Sequence, residues 1–227
     1  MPRNYVRSSE TIMSTPKWTI LIATVGMRED KFKRTYENLA AQIEEFCGDV
    51  TALVYWDNFE STLGKVRQDL LEAATSTYVN YVDDDDVLPP YYCRRIYDLL
   101  DNKVDYIGWR MQLFIDGEKQ KPTFHSIRYK DWDEDEYGYY RDVSHLNPIK
   151  RTLALKGRFD QSIPEDRNWA SQVAPHIKTE KYIDEEMYYY YHSRKESLWK
   201  LVPPPKGSFI RPVLDSQYFY YHPKSSL

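Results

Sequence analysis

The sequence is short of several residues on which small binding sites are commonly built. It has two cysteines, Cys47 and Cys93, and neither has a cysteine or histidine close by in sequence. That argues against a disulfide framework and a zinc site, and for a reducing, cytoplasmic compartment. Glycine is scarce, eight in 227 residues, and neither GxxxxGK[ST] nor GxGxxG occurs. The phosphates of a bound nucleotide would therefore need something other than a glycine loop to hold them. No apolar run reaches the length of a membrane span. The leader MPRNYVRSSETIMSTPK lacks the apolar stretch of a secretory signal and reads as a loose arm. Nor is there a dominant charge: the net value of −4 gives no global field of the kind that marks a nucleic-acid binder.

Acid and tyrosine are what the sequence does have. Its 41% hydrophobic and 29% charged residues suit one soluble globular core. The 21 tyrosines, thickest around YYYYH, read as half-buried strands or as a stacking platform for a sugar, a nucleoside or DNA. The acids culminate in YVNYVDDDDVLPP, where an apolar run enters Asp83, Asp84, Asp85 and Asp86 without a turn residue. Two carboxylates about 4 Å apart repel by roughly 1 kcal/mol in water and about 4 at a protein surface. A bound cation would offset that cost; a solvated turn that caps the next helix is the other reading.

Periodicity places these acids in a fold. Trp18 to Val25, Val50 to Trp56 and Tyr78 to Val82 are short apolar runs that predict buried strands. Between them, Glu29 to Phe46 and the stretch marked by Leu63, Val66, Leu70 and Ala74 repeat at helical spacing. A helix is expected from Pro89-Pro90 to Leu100. Strand, helix, strand, helix, strand predicts an α/β sheet with parallel strands. Further on, Val104 to Ile115 reads as strand, Lys119 to His145 as a long surface loop or small hairpin, and Asn147 to Lys156 as a short helix before Gly157. Glu165 to Val173 reads as a helix, Met187 to His192 as a last strand, and the tail as an arm packed on the surface.

In open α/β sheets, ligands bind beyond the carboxyl ends of the strands. Three such ends carry polar residues here: Thr24 to Arg28, Asp57-Asn58, and the four aspartates. An EF-hand is excluded, because no glycine or glutamate follows Asp83 at the required spacing. Asp-x-Asp on a turn after a strand suits a hard divalent ion, Mn²⁺ or Mg²⁺, bridging a diphosphate.

At this point the chain resembles the GT-A glycosyltransferases, and within them the inverting family 2. ILIATVGMRE is similar to the opening strand and loop, LVYWDN to the second strand, and GKVRQDLLEAATSTYVNYVDDDDVLPP to the stretch ending in the aspartates. LKGRFDQSIPEDRNWASQV is similar to the stretch with the catalytic acid, and YYYYHSRKESL to the closing strand. The resemblance implies an α/β GT-A (Rossmann-like) mixed sheet, mostly parallel and flanked by helices. It implies a domain over residues 17–199, with a donor half of about 17–116 and an acceptor half of about 117–199. A flexible arm (1–16) and a tail (200–227) would flank it.

By the same resemblance, Asp83 and Asp85 hold the metal, with Asp85 the principal ligand and His192 a third ligand or a diphosphate contact. Thr24, Arg28 and Asp57 hold base and ribose, Arg67 the base or diphosphate, and Asp84 and Asp86 orient sugar hydroxyls or cap the following helix. Asp166 is the base and Glu165 its neighbour. A carboxylate at a helix start is electrostatically favoured, and a single base implies inversion. The resemblance makes the donor a nucleotide sugar, UDP-linked by default. The acceptor stays open among a glycan, a protein and a modified base in phage-type DNA. A non-catalytic nucleotide-sugar or metal-binding module and a nucleotide-sugar hydrolase are the rival readings.

Overall fold

The computed structural model describes residues 15–159 and 164–192, and the backbone of 209–214 and 217–218. Most of the expected arm and tail, and the Asp160–Ile163 part of the catalytic-acid stretch, lie outside the described residues.

Three parallel strands form the centre: β1 (Trp18–Val25) lies between β2 (Val50–Asp57) and β3 (Tyr78–Tyr81). Their sequences are apolar throughout because both faces are covered. Trp18, Ile20 and Ile22 of β1, with Val50, Ala52 and Val54 of β2, pack in one layer with α1 (Glu29–Ile43) and α3 (Tyr92–Tyr97). The alternate residues Leu21, Leu53, Tyr55 and Val79 pack in the other, against α2 (Leu63–Ala73) and α5 (Glu165–Val173). Thr62 caps α2, its hydroxyl accepting from the Lys65 N–H at 3.3 Å.

Asn80, fully buried in β3, ties β3 to β1, α3 and the chain at Leu146. Its amide accepts from the Trp18 indole at 2.7 Å and donates to the Tyr92 hydroxyl and the Leu146 carbonyl, each at 2.9 Å. α3 begins at Tyr92, later than the sequence reading placed it. Each residue before a proline is pushed out of the helical region, so Leu88 and Pro89 stay extended, and the Tyr92 N–H closes a turn on the Pro89 carbonyl.

In the second half, the stretch read as a long loop or a small hairpin carries strands. β4 (Tyr106–Ile115) turns through Asp116 and Gly117, both at positive φ (50° and 86°), into antiparallel β5 (Glu118–His125). Two short strands follow, β6 (Asp133–Glu134) and β7 (Tyr139–Arg141). The expected helix over Asn147 to Lys156 is instead β8 (Ile149–Lys150) followed by one helical turn, α4 (Arg151–Ala154). β8 is captured by pairing with both β3 and β4. Gly157 serves packing rather than a left-handed cap: a Cβ there would lie 2.6 Å from Val173 Cγ2.

The last expected strand extends back to Glu180, as β9 (Glu180–His192), parallel to β4 with a bulge. In the tail, β10 (Phe209–Leu214) pairs antiparallel with β2 and with β11 (Gln217–Tyr218). The sheet is mixed. Parallel pairing holds the centre and recurs at β4–β9 and β5–β7, with antiparallel pairing elsewhere. No helix of the described residues is long and apolar enough to cross a membrane.

His125 ends β5 inside the core. Its Nδ1 lies 2.7 Å from Asn147 Oδ1, while the Asn147 amide donates to the Ile107 carbonyl at 2.9 Å. The imidazole is therefore the donor in this contact. Burial lowers its pKa to about 4 against the pull of Asn147. As pH falls, the unfolded chain takes up this proton first, so stability present above pH 6.5 is lost between 6.5 and 4. Urea titrations across that window should show wild type losing up to about 3 kcal/mol that His125→Gln retains. Parallel pH profiles for the two proteins would contradict the buried neutral state.

Candidate active site

The ends of β1 and β3 open into a cleft of about 1550 Å³, lined by Thr24, Arg28, Asp83, Asp84 and Asp85 on one side. Asp166, Arg167, Trp132 and Arg141 line the other. The four consecutive acids survive side by side because each has a different environment. Asp84 is 2% exposed and accepts from the Thr24 hydroxyl and the Arg28 guanidinium, both at 2.7 Å. Burial raises its pKa to about 6 against the pull of Arg28 and Thr24, which leaves it charged and paired at pH 7. Asp85 is 3.5 Å from the second Arg28 nitrogen. Burial, reinforced by Asp83, raises its pKa too. Asp86 points inward, one oxygen accepting from the Tyr191 N–H at 2.8 Å and the other without a partner. Burial pushes its pKa well up, reinforced by Asp83 and Asp85.

Asp83 belongs to a second ion group. Arg67 of α2 donates to Asp83 at 3.0 Å and to Glu165 at 2.6 Å, with 7% of its side chain exposed. Burial opposes its charge, but Asp83 and Glu165 outweigh burial and raise its pKa. The Tyr81 hydroxyl anchors the Arg67 carbonyl from below. Arg67 thus joins the aspartate turn to the first residue of α5.

Asp166, next along α5, has a third of its side chain exposed and accepts from the Arg167 N–H at 2.8 Å. Between Asp166 and Asp83 stands His145. Its Nδ1 is 3.8 Å from Asp166 Oδ2 and its Nε2, which lacks a hydrogen-bond partner, is 4.0 Å from Asp83 Oδ1. Burial, then Arg67 and His125, hold its pKa well below the usual range, so it is neutral.

No family model and no curated protein matches the sequence. Solved structures do. The S. aureus TarS 1-349 fragment superposes with a TM-score of 0.55 and 15% identity, over 77% of this chain and 60% of its own length. Its complex with UDP-GlcNAc gives 0.57 and 15%, over 82% and 62%. Its complex with UDP gives 0.56 and 15%, over 77% and 60%. The chain shares the mixed α/β fold of these structures. It spans less than two thirds of the length of the fragment it matches.

Within that fold, the expected site residues divide. Thr24, Arg28, Asp83, Asp84, Asp85, Glu165, Asp166 and His192 share the cleft. Thr24 and Arg28 donate to Asp84 of the aspartate turn, while Arg28 Nε has no hydrogen-bond partner. Arg67 reaches the cleft but is committed to its two carboxylates. Asp57 is fully buried, accepts from the Ser61 N–H at 3.4 Å and is absent from the cleft lining. His192 ends β9, and among the described residues no set of three or more histidine, cysteine or acid side chains is gathered for a metal. Asp83 and Asp85 do present hard oxygens to the cleft, and two carboxylates are what a Mg²⁺-type ion takes from a protein when substrate phosphates complete its shell. His145 lies in SHLNP, a stretch that carries no sequence signal beyond the histidine itself.

Arg67→Met leaves the buried Glu165 and the half-buried Asp83 without their cation and is expected to cost about 3–5 kcal/mol in urea unfolding. Adding Glu165→Gln should recover part of the loss. A cost below about 1 kcal/mol would rank the contact with ordinary surface pairs.

Proposed function

We propose that this chain transfers a sugar from a nucleotide-sugar donor, UDP-linked by default, to an acceptor hydroxyl with inversion. The observation that carries the reading is one cleft shared by an aspartate turn at the strand ends and a solvent-reachable carboxylate, Asp166, at a helix start. The likeness in fold to structures solved with UDP and UDP-GlcNAc supports the donor class.

In this reading the acceptor oxygen forms a bond to the anomeric carbon as the bond to the diphosphate oxygen breaks. The bonding pair leaves with the diphosphate and the hydroxyl proton passes to Asp166. Such general-base help is typically worth about 10² to 10⁴ in rate. Asp83 and Asp85 would hold Mn²⁺ or Mg²⁺, which when bound supplies Lewis-acid neutralisation of the leaving diphosphate. Asp85 suits that role, because burial and Asp83 already disfavour its lone charge. Arg28 and Arg67 hold the turn in shape, and neutral His145 fills the space between Asp83 and Asp166 without adding charge.

Calorimetric titration of UDP should show binding that depends on Mn²⁺ and falls at least tenfold in Asp85→Asn. Binding indifferent to both metal and substitution would return the aspartates to a purely structural turn. Asp166→Asn should keep donor affinity within about twofold and lower sugar transfer by about 10² or more. Unimpaired transfer in that variant would remove Asp166 from the chemistry.

A further inference from the structure

Among the described residues, Cys47, Phe59 and Asp116 adopt positive φ without being glycine, and for two of them that backbone is ordinary. Asp116 turns the β4–β5 hairpin, and Cys47 ends the helical turn after α1. Phe59, at φ 62°, does neither. In the left-handed region a Cβ crowds the following carbonyl, so a bulky side chain there is an outlier. Phe59 belongs to the loop between β2 and α2, which is pinned at both ends. Asp57, fully buried, accepts from the Ser61 N–H, and Thr62 caps α2. The fold thus holds Phe59 against its own backbone preference, half-buried and in the lining of the cleft. Strain of this kind persists only where the surroundings over-determine it, and it gathers at ligand sites.

We propose that Phe59 supplies the ring on which the nucleobase of the donor stacks. The assignment rests on the transferase reading above. It moves the base contact from Asp57, which is absent from the cleft lining, to the residue two places on. Strand order fixes the position. β1 lies between β2 and β3, so the β2 loop and the aspartate turn stand two strand spacings apart, about 10 Å. A ribose and its base bridge a gap of that order when the diphosphate lies at the turn. An aromatic ring meets a base face to face, a contact that any of the bases can make. Base and diphosphate are then held separately, each at its own strand end.

Calorimetry of UDP, CDP, GDP and ADP on the full chain with Mn²⁺ identifies the tightest nucleotide, which is then measured on Phe59 variants. Phe59→Gly and Phe59→Leu should each weaken it about fivefold or more, while Phe59→Tyr stays within about twofold of wild type. Mn²⁺ should strengthen binding by the same factor in wild type and Phe59→Gly, because the aspartate turn is untouched. Leucine keeps apolar bulk and loses only the aromatic face, so the leucine and tyrosine variants carry the test if a melting curve shows that glycine costs the fold. Equal affinity in Phe59→Leu and Phe59→Tyr, or a loss in Phe59→Gly that removes the Mn²⁺ effect with it, would overturn the stacking role. Failure of wild type to bind any of the four nucleotides overturns the donor reading, and this inference with it. Binding that is tight in wild type and unchanged in every variant overturns this inference alone.

Discussion

Arg67 is the constraint around which the site is assembled. It extends from α2, inside the protein, and spends its charge on two carboxylates from distant parts of the chain: Asp83 at the end of β3 and Glu165 at the start of α5. A buried cation is tolerable only when paired, and a buried carboxylate likewise. Each member therefore holds the others in place. The consequence is geometric. The turn that would face a diphosphate and the helix that presents Asp166 are fixed relative to one another by charge, although more than eighty residues of chain separate them.

Arg28 does the same work at the other end of the aspartate run, pairing with Asp84 and leaning toward Asp85. Like charges are thus kept together by interleaving two arginines and by burying one acid, Asp86, whose pKa burial holds well above the usual carboxylate range. What faces the cleft is a carboxylate pair, Asp83 and Asp85, each beside an arginine, Arg67 and Arg28. Repulsion within the run is thereby offset in part by the protein itself.

The central strands and the helices around them were legible because their signals are local. Continuous apolar runs such as ILIATV and helical spacing such as Leu63, Val66 and Leu70 depend on near neighbours. The second half was harder to read because its strands exist by pairing. The stretch from Glu118 to His125 is polar on its face and becomes a strand only beside β4, and Ile149–Lys150 is drawn from helix to strand by β3 and β4 together. The site divides in the same way. A run of four aspartates and an acid pair ahead of a helix are visible in one dimension. That Arg67 would bridge them, that Asp57 would lie beneath the cleft, and that His145 would stand between Asp83 and Asp166 are properties of packing, for which spacing carries no sign.

The sheet takes one of its strands from far along the chain. β2 lies next to β1 on one side and receives β10 on the other, so its outer edge is satisfied by residues made long after it. During synthesis the β1–β2–β3 core is complete while that edge still presents a row of free amides and carbonyls. Non-local pairings close slowly, and an open edge in the meantime is a template for foreign strands. The interval between emergence of β2 and arrival of β10 is thus the period in which this chain is most exposed to misassembly, and it ends only when the tail folds back.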